Sequence, residues 1–185
     1  MNQTKSKPFP GLVLTAIALC TVAMLLSVVF VWPRRIPPTM NLSSPAFKNN
    51  GTIPTKYTCD GGDIIPPLQF SDISDEAKTL TLVMEDPDAP SGIFDHWVVF
   101  NMPLSVTGIE EGVEPQGIRG NNSTGKVGYK GPCPPSGVHH YIFTLYALDT
   151  ELPLLEGASK KDILEAMASH IVDRAKWVGL YGKSR

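Results

Sequence analysis

The chain is poor in cysteine, modest in aromatic residues and without any excess of positive charge. Three cysteines in 185 residues are too few for a disulfide framework, so a hydrophobic core must carry the fold. With 16 basic against 18 acidic residues there is no basic face of the kind that nucleic acid requires. Neither a HExxH nor a HxH spacing occurs, and no serine sits in a G-x-S-x-G elbow, which removes the common zinc-hydrolase and α/β-hydrolase signatures. No internal repeat and no low-complexity tract is present.

One absence is local. From Gly11 to Trp32, "GLVLTAIALCTVAMLLSVVFVW", 22 consecutive positions carry no charge. At about 1.5 Å rise per residue a helix of that length spans roughly 33 Å, enough for the hydrocarbon core of a bilayer. The run exceeds the roughly 7–15 apolar residues of a cleaved signal peptide, and its end, "VVFVWPRR", offers no small-x-small cleavage site. Residues 1–35 are therefore predicted to be an uncleaved signal anchor, with cleavage and secretion as the alternative. Cys20 in "IALC" lies too deep in this run, and beside too large a leucine, to read as a lipobox. The remainder holds all 18 acidic and 12 of the 16 basic residues, a net of −6, so the anchor and not surface charge would hold the protein to a membrane. The positive-inside bias is small but places the amino terminus inside and the domain outside the cytoplasm.

After a proline-stiffened tether (36–40), residues 41–185 read as one β-rich domain, with dense proline and short apolar runs. Strands are expected at Thr79–Glu85, His96–Met102 and His140–Asp149, and a shorter one in "AKWVGLYG" near the end. A helix is expected over "SKKDILEAMASHIVDRAK", with Ser159 as N-cap and Ile163, Leu164, Met167 and Ile171 at helical spacing. The order strand, proline turn, strand predicts a largely antiparallel sheet. Residues 109–137 form a long connection almost without strand signal, a length that in compact domains is usually functional or disordered. Cys59 and Cys133 are the two cysteines of this domain, and the sequence leaves their pairing open.

Two proline-rich loops each run into a strand with histidine at its mouth. "DPDAPSGIFDHWVVF" delivers His96, and "GPCPPSGVHHYIFTLYALD" delivers His139 and His140. If both loops end at one sheet edge, Asp86, Asp88, His96, His139 and Tyr141 share a pocket. His139 and Tyr141, two apart on a strand, project to one face, while His140 and Asp95 point the other way. Three readings compete for this set. The aspartates are turn residues before proline and the histidines cap strand ends. Alternatively, imidazole and hydroxyl donors hold an anion, with aspartate fixing each ring's tautomer. Or two histidines and a carboxylate hold a metal. Ser91, Ser136 and Cys133 lie nearby without an evident base, which disfavours covalent hydrolysis.

The motifs "DPDAPSG…DHWVVFNMP" and "GYKGPCPPSGVHHYIFTLYALD", with "YTCDGGDIIPPLQF" and the closing helix, resemble the phosphatidylethanolamine-binding protein (Raf kinase inhibitor-like) family over about Met40–Tyr181, its bacterial and archaeal branch above all. The resemblance implies a mostly β fold, a large antiparallel sheet packed on a smaller one with a carboxyl-terminal helix. It implies an anion pocket at one sheet edge, built from Asp86, Asp88, Pro90, His96, Gly131, Pro132, His139 and Tyr141 and suited to phosphate or a phosphorylethanolamine-like head group. No catalytic residue, cofactor or metal follows from it. His140 stands where the branch often has arginine. An anchored, exported domain would not meet a cytoplasmic kinase, so the expected role is a membrane-anchored binding module. The alternatives are a protein-binding inhibitor, of serine proteases for example, and a metal-dependent enzyme.

Overall fold

The computed structural model describes residues 40–183. The predicted anchor and the tether up to residue 39 lie outside them. Among the described residues no helix is long and apolar enough to cross a membrane.

Two sheets organise the domain. The smaller joins β1 (Asn41–Ser43), β3 (Leu68–Ser71) and β6 (Gly108–Ile109) in the order β1-β3-β6. The larger has six strands in the order β2-β9-β8-β4-β5-β7: β2 (Gly51–Thr52), β4 (Thr79–Asp86), β5 (Phe94–Pro103), β7 (Ile118–Arg119), β8 (Gly137–Leu148) and β9 (Ile171–Lys183). Its pairs are antiparallel except at one edge, where β2 runs parallel to β9, so the expected antiparallel sheet is mixed there.

The central strand β4, "TLTLVMED", is buried along almost its whole length because both faces of the large sheet are covered. Leu80, Leu82 and Met84 face the small sheet, packing with Leu42, Leu68, Phe70 and Ile109 and with Trp97, Val99, Phe143 and Leu145 of the neighbouring strands. Val83, Val98 and Phe100 face the other way, against Leu152, Ile163 and Met167. Strands buried on both faces lose the alternation of a half-exposed strand and read as continuous apolar runs.

Ile163 and Met167 belong to α1 (Lys160–Met167), which Ser159 caps: its hydroxyl accepts from the Asp162 N–H while the Asp162 carboxylate accepts from the Ser159 N–H. The helix is shorter than expected. It ends at Met167, and "IVDRAK", read as its second half, opens the thirteen-residue strand β9 instead. The β-branched pair Ile171–Val172 favours extended backbone, and the twelve-residue β8 supplies a full-length antiparallel partner, so tertiary pairing overrides the helical spacing. The described residues accordingly close on a strand rather than on the helix. Truncating Ile163, fully buried between helix and sheet, to alanine should cost about 2–5 kcal/mol; urea unfolding should show a lower midpoint with an unchanged slope.

Candidate binding pocket

The β4–β5 and 109–137 loops do meet at one end of the large sheet, and a β-bulge decides what they present. Met84 pairs with Trp97 and Glu85 with Asp95, which leaves His96 as the extra residue on β5. Glu85 and Asp95 lie on the helix side, where both carboxylates meet the Lys160 ammonium. The bulge frees His96 from strict alternation, and its ring turns to the same side as Phe94 and Tyr141. The centroids are 4.7 Å and 5.2 Å away, the second pair edge-on. Asp95 is thus structural, as expected from its position.

His96 is stitched to the long connection twice. Its backbone carbonyl accepts from the Lys130 N–H, and its Nδ1–H donates to the Lys130 carbonyl at 2.6 Å. A carbonyl only accepts, so the proton sits on Nδ1. Burial holds this imidazole below its ordinary value of 6.5, more than offsetting the bond to Lys130 and the Asp86 carboxylate nearby.

Opposite it, His139 on β8 places Nδ1 2.7 Å from Oδ2 of Asp86, and all three side chains are buried. Oδ1 of Asp86 accepts from the Asp88 N–H, an Asx turn that starts the proline loop. These groups line a cavity of about 150 Å³, together with Ala89, Pro90, Ser91, Phe94, Lys130, Gly131, Cys133, Pro134 and Pro135. That volume is smaller than the roughly 300–1,000 Å³ of drug-sized ligand sites and suits a small group.

Of the eight residues singled out by sequence, Asp86, Pro90, His96, Gly131 and His139 line the cavity. The other three do not. Asp88 turns to the rim, where His140 donates to it from both Nδ1 (2.7 Å) and its backbone N–H (2.8 Å), and the first of these bonds does most to hold its carboxyl below the usual range. Pro132 lies behind the wall, its carbonyl accepting from the Cys59 N–H. Tyr141 is fully buried beneath His96, and burial, reinforced by Asp86, raises its pKa against a smaller opposing effect of the Cys133 backbone.

The wall around Gly131 is fastened by the segment that follows the 3-10 turn Thr55–Tyr57. Cys59 and Cys133 form a disulfide. The Asp63 carboxylate accepts from the Gly131 N–H (2.7 Å) and the Lys130 ammonium (3.3 Å), and the Tyr129 hydroxyl donates to the Tyr57 carbonyl. A Cβ on Gly131 would meet Asp63 Oδ1 at 2.3 Å and the Tyr57 carbonyl oxygen at 2.6 Å, so only glycine fits. Lys130 and Asp63 lie within quoted motifs but are not among the site residues read from sequence, and local sequence gives no sign that they meet. Among the described residues no three histidine, cysteine, aspartate or glutamate side chains are grouped as metal ligands; the inner carboxylate is already engaged by His139 and the Asp88 N–H.

Known proteins match this chain in sequence and fold. The phosphatidylethanolamine-binding protein family model matches residues 43–182. A UPF0098 protein of Methanothermobacter thermautotrophicus is 53% identical over 148 residues, covering 77% of this chain and 98% of the relative. One from Pyrococcus horikoshii is 49% identical over 148 residues, 75% of this chain and 74% of its own. Among solved structures, a phosphatidylethanolamine-binding protein homologue of Chlamydia trachomatis superposes with a TM-score of 0.77 at 43% identity, covering 80% of this chain and 99% of that one. Escherichia coli YbcL, described as a member of the mammalian family, gives 0.73 at 27% identity, covering 78% and 99%. The chain belongs to the phosphatidylethanolamine-binding protein family, as a binding module of the form found in bacteria and archaea.

Two outcomes test the pocket's construction. Replacing both cysteines with serine should lower unfolding free energy by about 2–5 kcal/mol in chemical denaturation. For His96, the unfolded chain binds the proton more tightly than the folded one. The stability it supports is full above 6.5 and falls as pH drops from there through the lower folded value. Thermal midpoints of a His96→Gln variant should therefore depend less on pH over that window than those of the unaltered protein.

Proposed function

We propose that this protein is a membrane-anchored, extracytoplasmic binding module whose pocket takes a small anion, a phosphate or the phosphoryl head group of a phospholipid. The observation that carries this reading is the buried Asp86–His139 pair facing His96 across a cavity of about 150 Å³. A carboxylate at Nδ1 orients the His139 ring and can balance an imidazolium, leaving its Nε2–H to donate to a bound anion. Ser91 and Lys130 also line the cavity, the Lys130 ammonium being paired with Asp63. The Gly131 N–H is not a donor to it, since Asp63 already accepts from that group. Nothing here calls for a nucleophile or a metal, and the reading is of a binder without catalysis. The uncharged run before residue 33 supports the anchor, and the domain's excess of acidic residues makes that run the means of reaching a membrane.

Isothermal titration of the full chain in detergent with phosphorylethanolamine and with inorganic phosphate tests this. Binding is expected for the unaltered protein. His139→Ala, which removes a charge-assisted hydrogen bond worth about 1.5–3 kcal/mol, should weaken it by about tenfold or more. Binding of equal strength in both proteins, or in neither, overturns the proposal.

A further inference from the structure

The two pocket imidazoles are not equivalent. His139 turns Nδ1 to a carboxylate and His96 turns Nδ1 to a backbone carbonyl. A carboxylate offsets the charge of an imidazolium, so His139 can serve the pocket as a donor. A carbonyl at Nδ1 places a proton there, and burial of the ring keeps it neutral, so His96 serves as an acceptor through the Nε2 lone pair. No hydrogen bond from a described residue reaches that Nε2, and the ring lines the cavity. The tautomer is held tightly. The reciprocal backbone bond between Lys130 N–H and the His96 carbonyl fixes the carbonyl that His96 faces, and Asp63 fixes the next peptide through the Gly131 N–H. Of the charged groups near the ring, the Asp86 and Asp63 carboxylates favour its charged form and the Lys130 ammonium opposes it, and burial outweighs the carboxylates in keeping the ring neutral.

An acceptor in an anion pocket calls for a donor on the ligand, and the simplest is a proton carried by the anion itself. Fully ionised oxyanions place only lone pairs against Nε2, and two lone pairs in contact away from water leave both unsatisfied. A phosphomonoester has its second ionisation near pH 6, so close to neutrality it still offers a P–OH donor alongside ionised oxygens. Sulfate has no proton to give under these conditions, and neither does a phosphodiester.

We infer that His96 is the specificity-determining residue of the pocket: its Nε2 accepts the P–OH proton of a phosphomonoester monoanion, so the site selects phosphomonoesters over sulfate and over phosphodiesters. This rests on the anion-pocket reading and narrows it. The phosphate linking the head group of an intact phospholipid is a diester, so the preferred ligand is a free or terminal monoester.

The test is calorimetry on the full chain in detergent at pH 6 with methyl phosphate, dimethyl phosphate and sulfate, joined to 15N spectra of histidine-labelled protein in which His96→Gln assigns the ring. Methyl phosphate should bind at least tenfold more tightly than either competitor. In its complex the His96 Nε2 signal should remain that of an unprotonated, hydrogen-bonded nitrogen. Sulfate or dimethyl phosphate binding as tightly as methyl phosphate overturns the inference while leaving the anion pocket intact. So does an imidazolium signal for His96 in the complex, or phosphorylethanolamine binding where methyl phosphate does not, which assigns the donated proton to an ammonium. Failure of every phosphoryl compound to bind overturns the anion pocket and this inference together.

Discussion

The pair of hydrogen bonds between His96 and Lys130 holds the site together. One of them continues the hydrogen bonding of the sheet onto a segment that is not a strand. The other turns an imidazole proton away from the cavity. Through the first, the long connection after β6 is laid along the free side of β5; Gly120 and Ser123 donate to the Val98 and Asp95 carbonyls in the same way. Through the second, the wall of the pocket and the protonation of its floor become one constraint. Moving the Lys130 peptide would change which nitrogen His96 shows to the cavity.

The bulge matters as much as the loop. In a regular strand His96 would share a face with Val98 and face the helix. The extra residue opposite Met84 and Glu85 lets β5 keep Asp95 on the Lys160 side, Trp97 in the core and His96 at the cavity, three demands that a period of two cannot meet together. Bulges commonly stand next to functional sites for this reason.

Much of this was legible from sequence, and the failures have physical causes. The strands around Asp86, His96 and His139 announce themselves through β-branched and aromatic runs bounded by proline, and the shared grammar of two loops brought their histidines together. The helix was misjudged at its end because Ile171 satisfies both a helical and a strand spacing, and the length of β8 settles the matter only in three dimensions. Asp88 shares the proline-rich loop and motif of Asp86, whereas the choice between cavity and rim depends on His140. The pairing of Lys130 with Asp63, 67 residues apart, leaves no local trace. The cysteine pairing was open for the same reason, since spacing says nothing of proximity.

The Cys59–Cys133 bridge encloses 74 residues of sequence separation, and what lies inside that ring is specific. It contains β3 to β7, and with them Asp86 and His96; His139 lies outside, on β8, which enters the sheet between β4 and β9. The pocket is therefore divided covalently. An oxidised chain that loses its tertiary structure keeps Asp86 and His96 within one closed loop, and only the pairing of β8 with β4 brings His139 to them. The cavity is in that sense the joining of two pieces of one chain, with the Asp86–His139 contact as their seam.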